Sequence, residues 1–356
     1  MAPGNSLGKG TSLPQADRVV VIGGAGFIGS RLTRFLLDEG NSVVVTSRSA
    51  GKISSDDPRL SYRSAEVSDE AGISEVIEGA SVVYDLSMAF GDSWEEHKRK
   101  VVDSAVNIAR ACRKHGVRRL VYTSSTAALY LAGNRVVTEA IGPDRKPEAR
   151  SFYCRGKIEA EVALLKLHAL EKIPVVVFRP AIVLGPGGML VHGAFGELPP
   201  SSDINILGFG TGKTPLPCVL VDDVARALLL AKDAPGIDGM TFNLAGDVRP
   251  SVVEYVRWMR ETTHRNFQFH PRPVWFIQAG ELARWALKAL GRKPNNRLGA
   301  LRDLASATMA AQLDCSLAKN KLGWKPVSDE TEFRRQALLP HVQPLAPGDL
   351  RLDPRH

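Results

Sequence analysis

The chain has 356 residues, 44% hydrophobic and 24% charged, with a formal net charge of +8. That is enough chain for a large core in one or two domains, and the composition is globular rather than fibrous or low-complexity. No run of 18 apolar residues occurs, so no membrane span is expected, and four scattered cysteines with no C-x-x-C pair (Cys112, Cys154, Cys218, Cys315) argue against a disulfide framework or a zinc site.

Residues 1–16 are Gly, Ser, Pro and polar, with no apolar core of a secretory signal, and are expected to be a disordered tail. The cysteine usage fits a reducing cytosol, so a cytoplasmic location is expected. The basic balance suits a phosphate-bearing ligand or an anionic surface. No basic run is interleaved with aromatics, so nucleic acid is not an expected partner.

Val19 to Ile22 are apolar and mostly β-branched, as in a buried parallel strand. Gly23, Gly26 and Gly29 follow, and Ser30 to Glu39 reads as an amphipathic helix stopped by Gly40. Strand, glycine turn and helix start make a dinucleotide site, because glycines let backbone approach a pyrophosphate and the helix end offers free N–H groups. The expected contacts are Gly23, Ala25, Gly26, Phe27, Ile28 and Gly29. The spacing is G-x-x-G-x-x-G; a glycine turn without a ligand is the bland alternative.

Ser42 to Thr46 is the second strand. NAD enzymes of this plan place an acid at its end, for the ribose hydroxyls. Here the end reads Thr46-Ser47-Arg48, with Lys52 nearby. An arginine would pair with a 2′-phosphate, which favours NADP over NAD; the alternative for Arg48 is a solvated loop residue. Glu66 and Val67, after a short polar strand, are placed near the adenine. Ser81 to Leu86 is the fourth strand, with Leu86 and Ser87 at its carboxyl end, where ligands sit. A long helix is expected from about Ser93 to His115, with Val101, Val102, Ala105, Ile108, Ala109 and Cys112 as its core face.

Arg119 to Ser125 is a strand ending in hydroxyls. After a loop, a helix starts near Ser151 and runs to Glu171. Tyr153 and Lys157 are four apart and share one face. Of six tyrosines, only Tyr153 has a lysine four residues on.

The ordered set Gly23 to Gly29, Thr123-Ser124-Ser125, and Tyr153 with Lys157 resembles the extended short-chain dehydrogenase/reductases, also described as the NAD-dependent epimerase/dehydratase family. The likeness runs from about 18 to 336. Arg179 to Gly187, Val221 to Ala225 and Leu322 to Pro326 agree with it. It implies a Rossmann-type doubly wound parallel sheet with a smaller, interleaved C-terminal substrate lobe. The expected domains are 17–186 for the NAD(P)-binding part, with 216–246 returning to it, 187–215 and 247–338 for the lobe, and 339–356 as a flexible tail. Nucleotide-sugar epimerases of the family carry Asn where Ile182 stands and often His where Leu220 stands. Dehydratases place Asp-Glu where this chain has Thr126-Ala127. The pattern is closer to the hydroxysteroid-dehydrogenase-like and dihydroflavonol-reductase-like members.

The resemblance implies hydride transfer between a nicotinamide and a secondary alcohol or ketone, on a small-molecule substrate. A nucleotide-sugar 4-epimerase using the same side chains is the alternative. Tyr153 would pass the proton, its phenol lowered from near 10 by Lys157 and the positive nicotinamide ring. Lys157 would also hold the nicotinamide ribose, and Ser125, with Ser124 as runner-up, would orient the carbonyl. Asp222 and Asp223 read as a turn or helix cap. Gly187 to Lys213 reads as a lid. Helices are expected near 222–232, 251–262 and 274–291. The last has a wide apolar arc, which either packs into the lobe or touches a membrane surface, aided by Arg292 and Lys293. A homodimer is the expected assembly if the chain self-associates.

Overall fold

The computed structural model describes residues 17–46, 56–131, 136–193, 195–196, 204–273, 299–307 and 311–342, with scattered positions from 275 to 286. In chain order the elements are β1 (Arg18–Ile22), α1 (Phe27–Asp38), β2 (Ser42–Thr46), β3 (Leu60–Arg63), α2 (Glu70–Ile77), β4 (Val82–Asp85), α3 (Trp94–Lys98), a π-helical stretch (Arg99–Asp103), α4 (Ser104–Lys114) and β5 (Arg119–Thr123). They continue with β6 (Val136–Val137), α5 (Phe152–Glu171), β7 (Val175–Pro180), β8 (Ile182–Leu184), β9 (Asn205–Phe209), β10 (Cys218–Leu220), α6 (Val221–Leu230), β11 (Thr241–Leu244), α7 (Val252–Thr263) and β12 (Gln268–Arg272). Last come α8 (Gly299–Ala307), β13 (Gln312–Leu313), α9 (Ser316–Leu322) and α10 (Glu330–Leu338).

Seven strands form one parallel sheet in the order β11-β7-β5-β4-β1-β2-β3. The order reverses between β1 and β4, and that switch point opens a crevice at their carboxyl ends. Both faces of the sheet are covered, so its strands are apolar along their length rather than alternating. Val19, Val21, Val43 and Val45 face a cluster with α1, α6 and α9. Val20, Ile22, Val44 and Val83 face a second cluster with α2, α4 and α5. A third cluster, with Phe195, Tyr255, Trp258, Phe267 and Phe333, makes the smaller lobe.

Several expected boundaries move. The first helix starts at Phe27, not Ser30, so Gly29 lies inside it. The long helix over 93–115 is interrupted by the π turn at Arg99–Asp103. Gly187 to Lys213 is not all loop: β9 lies in it and pairs in parallel with β12. β10 pairs with β8, while β11 completes the main sheet beside β7. Within 247–338, Ala311, Leu313, Cys315, Ala318, Leu322 and Trp324 pack into the larger cluster rather than the lobe. Leu339–His341 continues α10 as a 3-10 turn, so the expected tail does not begin there. Residues 1–16 and 343–356 lie outside the described residues.

Asp222 and Asp223 cap nothing: α6 begins at Val221 with no side-chain cap. Asp222 instead takes a two-pronged bond from Arg31 of α1, at 2.5 and 2.7 Å. Asp223 accepts from the Val327 N–H, and its carbonyl accepts from the Trp324 indole at 2.8 Å. Burial pushes the Asp223 carboxyl up to about 6. Of the apolar arc in 274–291, Trp275, Phe276 and Leu282 are exposed, so they are not packed into the lobe. Much of that segment, with Arg292 and Lys293, lies outside the described residues. Among the described residues no helix is long and apolar enough to cross a membrane, and the four cysteines are free and buried.

Trp324 is the largest fully buried side chain among the described residues, and it clamps the C-terminal segment to α6. Trp324→Ala should lower unfolding free energy by about 3–5 kcal/mol, read from denaturant midpoints at unchanged slope.

Candidate active site

The glycine turn sits at the switch point. Gly23 has φ +78, and a Cβ there would lie 2.9 Å from the Leu86 carbonyl oxygen. A Cβ on Gly29 would lie 2.3 Å from the Gly23 carbonyl oxygen. The turn therefore closes only with glycine at both positions. Gly26 is the N-cap of α1, with no side-chain cap bond and no acid in the first turn. The N–H groups of Phe27, Ile28 and Gly29 have no acceptor within the helix, and the helix dipole favours an anion there. Backbone this bare, at a helix N-terminus, fits the pyrophosphate of a dinucleotide.

The other expected contacts border the same edge of the sheet. Ala25 is half-buried, and the Phe27 ring reaches Gly188 after β8, where a Cβ would come within 2.6 Å of it. Leu86 follows β4, and the Ser87 N–H donates to Asp85 Oδ1 at 2.9 Å. Glu66 is exposed and Val67 half-buried, in the turn between β3 and α2. Arg48 and Lys52 lie outside the described residues.

The second half of the site is built on α5. Ser151 caps it, accepting from the Cys154 N–H at 3.4 Å. Tyr153, Lys157 and Glu161 then follow at four-residue spacing on one face. The Lys157 Nζ donates to the Thr123 carbonyl at 2.8 Å, just where β5 ends. Its burial pulls the ammonium pKa down, while the charges of Asp85 and Glu161 work to raise it. Burial pushes the Tyr153 phenol above its ordinary value, and a hydrogen bond with Ser125 pulls the other way. The Lys157 ammonium is bonded to the Thr123 carbonyl, and burial is the largest cause acting on the phenol.

The two serines are separated by their partners. Ser124 donates to Glu161 Oε2 at 2.9 Å, and Glu161 is paired with Arg179 in full burial. Ser125 instead caps the turn at Thr126–Ala128, accepting from the Ala127 N–H at 3.1 Å, and meets Tyr153. Ser124 serves the buried ion pair; Ser125 faces the tyrosine.

A small pocket open to solvent lies beside them, lined by Ser87, Met88, Ala89, His97, Val101, Tyr153 and Lys157. It joins the carboxyl end of β4 to the inner face of α5. His97 and Val101 fall outside the expected site residues, and the helical spacing over 93–115 assigns Val101 to the core. Their four-residue spacing was visible, but the helix pattern did not say that this pair faces a cavity. Among the described residues no cluster of side chains could hold a metal ion.

The profile of the NAD dependent epimerase/dehydratase family matches residues 19–245. The 2-alkyl-3-oxoalkanoate reductase of Stenotrophomonas maltophilia (strain K279a) is 27% identical over 61% of this chain and 66% of its own length. Cinnamoyl-CoA reductase 1 of Petunia hybrida is 30% identical over 62% of this chain and 70% of its own length. The crystal structure of UDP-glucuronic acid 4-epimerase from Bacillus cereus in complex with NAD matches 91% of this chain and 98% of its own, with a TM-score of 0.69 at 17% identity. At that identity the likeness is one of fold.

The serine geometry separates two variants. Ser124→Ala should lower stability by about 1–2 kcal/mol through the lost bond to a buried carboxylate. Ser125→Ala should cost about 1 kcal/mol through the lost cap of the Thr126–Ala128 turn and, unlike Ser124→Ala, weaken turnover at least tenfold, as expected for a group that aligns a reacting carbonyl. Thermal melts and steady-state rates on both variants check this; the reverse pattern would exchange the two roles.

Proposed function

The chain belongs to the NAD-dependent epimerase/dehydratase family and is an NAD(P)-dependent enzyme of it, and from that premise we propose a dehydrogenase/reductase acting on a secondary alcohol or ketone. The observation that carries this reading is the convergence of Tyr153, bonded to Ser125, with Lys157 in one cavity at the end of β4. A bound nicotinamide supplies or accepts the hydride.

Each side chain then has a task. The Tyr153 phenol gives a proton to the carbonyl oxygen in reduction and takes it back in oxidation. A phenol with its ordinary value near 10 is protonated at neutral pH, and burial shifts it further in that direction, which suits reduction. The Ser125 hydroxyl orients the carbonyl. Lys157, held by the Thr123 carbonyl, places a buried positive charge beside the cofactor ribose. The cradle from Gly23 to Gly29 takes the pyrophosphate, and Glu66, Val67, Leu86 and Ser87 border the rest of the cofactor. The names of the two reductases described above support reduction, and the apolar Met88, Ala89 and Val101 support a substrate with an apolar body. Purified protein that retains NAD through gel filtration, with no net turnover of added cofactor, would favour the epimerase alternative.

The test is turnover with NADPH or NADP⁺ against sterol, flavonoid and UDP-sugar substrates. Tyr153→Phe should keep cofactor affinity near wild type and cut turnover by roughly 10²-fold or more. Turnover within a few-fold of wild type would remove Tyr153 from the chemistry.

NADP is the proposed cofactor, because Thr46-Ser47-Arg48 puts a cation where an acid would hold a free ribose. A charge-assisted contact to the 2′-phosphate is worth about 1.5–3 kcal/mol. Arg48→Ala should therefore weaken NADP binding by about one to two orders of magnitude and leave NAD binding almost unchanged. Titration of both cofactors against both proteins decides it; equal weakening of both makes Arg48 a plain surface residue.

A further inference from the structure

Lys157 has to carry a positive charge in a place that opposes one. It is 6% exposed, and a buried ammonium with no negative partner tends to give up its proton. Its hydrogen bond goes to the Thr123 carbonyl, which is neutral. The balancing charge has to come from a carboxylate on an element packed around it.

The groups that face Lys157 narrow to one. On its own helix, burial keeps the Tyr153 phenol protonated, and Glu161 is committed to Arg179 of β7. On α3, His97 is pulled down by burial and by the Lys157 charge, so its ring is neutral. On β5, burial pushes the Tyr122 phenol well up, and Lys157 Nζ lies 5.1 Å from the centre of its ring. On β4 stands Asp85, aligned with Tyr122 across the sheet. Adjacent strands lie about 4.8 Å apart, and side chains alternate between the two faces along each strand. Val83 and Tyr122 both face the cluster under α5, so Asp85, two residues past Val83, points to the same side.

Asp85 is 2% exposed, and its Oδ1 accepts from the Ser87 N–H at 2.9 Å. Among the described residues no cation makes an ion pair with it. Cys112 of α4 also feels its charge, but burial pushes that thiol up and it stays neutral. Asp85 is thus the buried carboxylate near Lys157 that no arginine has claimed. The interaction is mutual: Asp85 works to raise the lysine pKa, and Lys157 works to lower that of Asp85 against its burial.

Resting on the reading of Tyr153 and Lys157 as the working pair of a dehydrogenase, we propose that Asp85 is a positioning residue of this site, its carboxylate the counter-ion that keeps Lys157 an ammonium beside the cofactor ribose. Asp85 acts through Lys157 rather than on the reacting atoms. The same carboxylate holds the Ser87 N–H and so fixes the start of the loop that lines the pocket.

An ammonium is lost as pH rises through its pKa, and removing a nearby negative charge brings that loss to lower pH. The test is the titration of Lys157 itself, followed by carbon-13 NMR on the full chain labelled with [ε-13C]lysine. Lys157→Met identifies the resonance. Asp85→Asn keeps an acceptor for the Ser87 N–H and removes the charge. It should move the Lys157 midpoint down by about one pH unit or more. Asp85→Glu restores a charge and should return most of that shift. With an accepted substrate, the alkaline fall in kcat should move down in Asp85→Asn by the same amount, whereas a purely structural residue would lower kcat alike at every pH. A second measurement stands if the Asn variant does not fold. In wild type labelled with [γ-13C]aspartate, the resonance lost in Asp85→Glu should report an ionised carboxylate at neutral pH. An unmoved Lys157 midpoint in Asp85→Asn, a Glu variant that titrates like the Asn variant, or a neutral Asp85 in wild type would overturn the proposal. The NMR titrations need no turnover, so they decide the role of Asp85 by themselves. The dehydrogenase reading fails separately, through a Tyr153→Phe variant that still turns over.

Discussion

Arg150 holds together the two segments that carry Ser125 and Tyr153. It is 2% exposed and spends its guanidinium on four acceptors: the Ala127 and Leu129 carbonyls at 3.1 Å, Asp144 at 2.8 Å, and Asp303 of α8. The two carbonyls belong to the turn that Ser125 opens. Arg150 itself immediately precedes the Ser151 cap of α5, and Asp303 also accepts from the Ser151 N–H. The chain that presents Ser125 and the helix that presents Tyr153 are therefore clamped to one planar cation. Burial works to raise the Asp144 carboxyl, but the bonds from Arg302 and Arg150 outweigh it and hold it at about 2. A buried charge set of this kind is costly to break, because removing one partner strands the others without water.

A second buried pair lies one layer deeper. Glu161 and Arg179 tie α5 to β7, and Ser124 joins them from the end of β5. The inner face of α5 thus carries Tyr153, Lys157 and Glu161 in succession, from the cavity to the core. Each is held by a different neighbour: Ser125, the Thr123 carbonyl and Arg179. This spacing explains why the reacting group lies at the helix start. The first turn reaches the crevice at the carboxyl end of the sheet, and each later turn runs further under it.

The opposite wall of the cavity comes from α3 and the π turn. One extra residue per turn there breaks the regular stripe that would have buried Val101 with Ala105 and Ile108. Val101 stays half-buried and looks into the cavity with His97, while Ala105 and Ile108 remain in the core. π turns recur at functional sites for this reason: they re-aim side chains without ending the helix.

The sequence alone was enough for the sheet, the glycine cradle and the Tyr153–Lys157 face. Those depend on local rules: β-branched runs for strands buried on both sides, glycine where backbone must touch backbone, and a four-residue helical period. It ranked Ser125 over Ser124 only through the family resemblance, since adjacent hydroxyls are physically equivalent until Glu161 claims one of them across 37 residues. The desolvation of the Tyr153 phenol is likewise a property of packing, not of spacing. Asp222 and Asp223 looked like caps by position, yet Arg31 and the segment around Trp324 use them, from 191 and about 100 residues away in sequence. His97 belonged to a helix pattern with no mark of a cavity. Contacts between distant segments are set by tertiary packing, and that packing alone decided which polar residues face the cavity and which hold the fold.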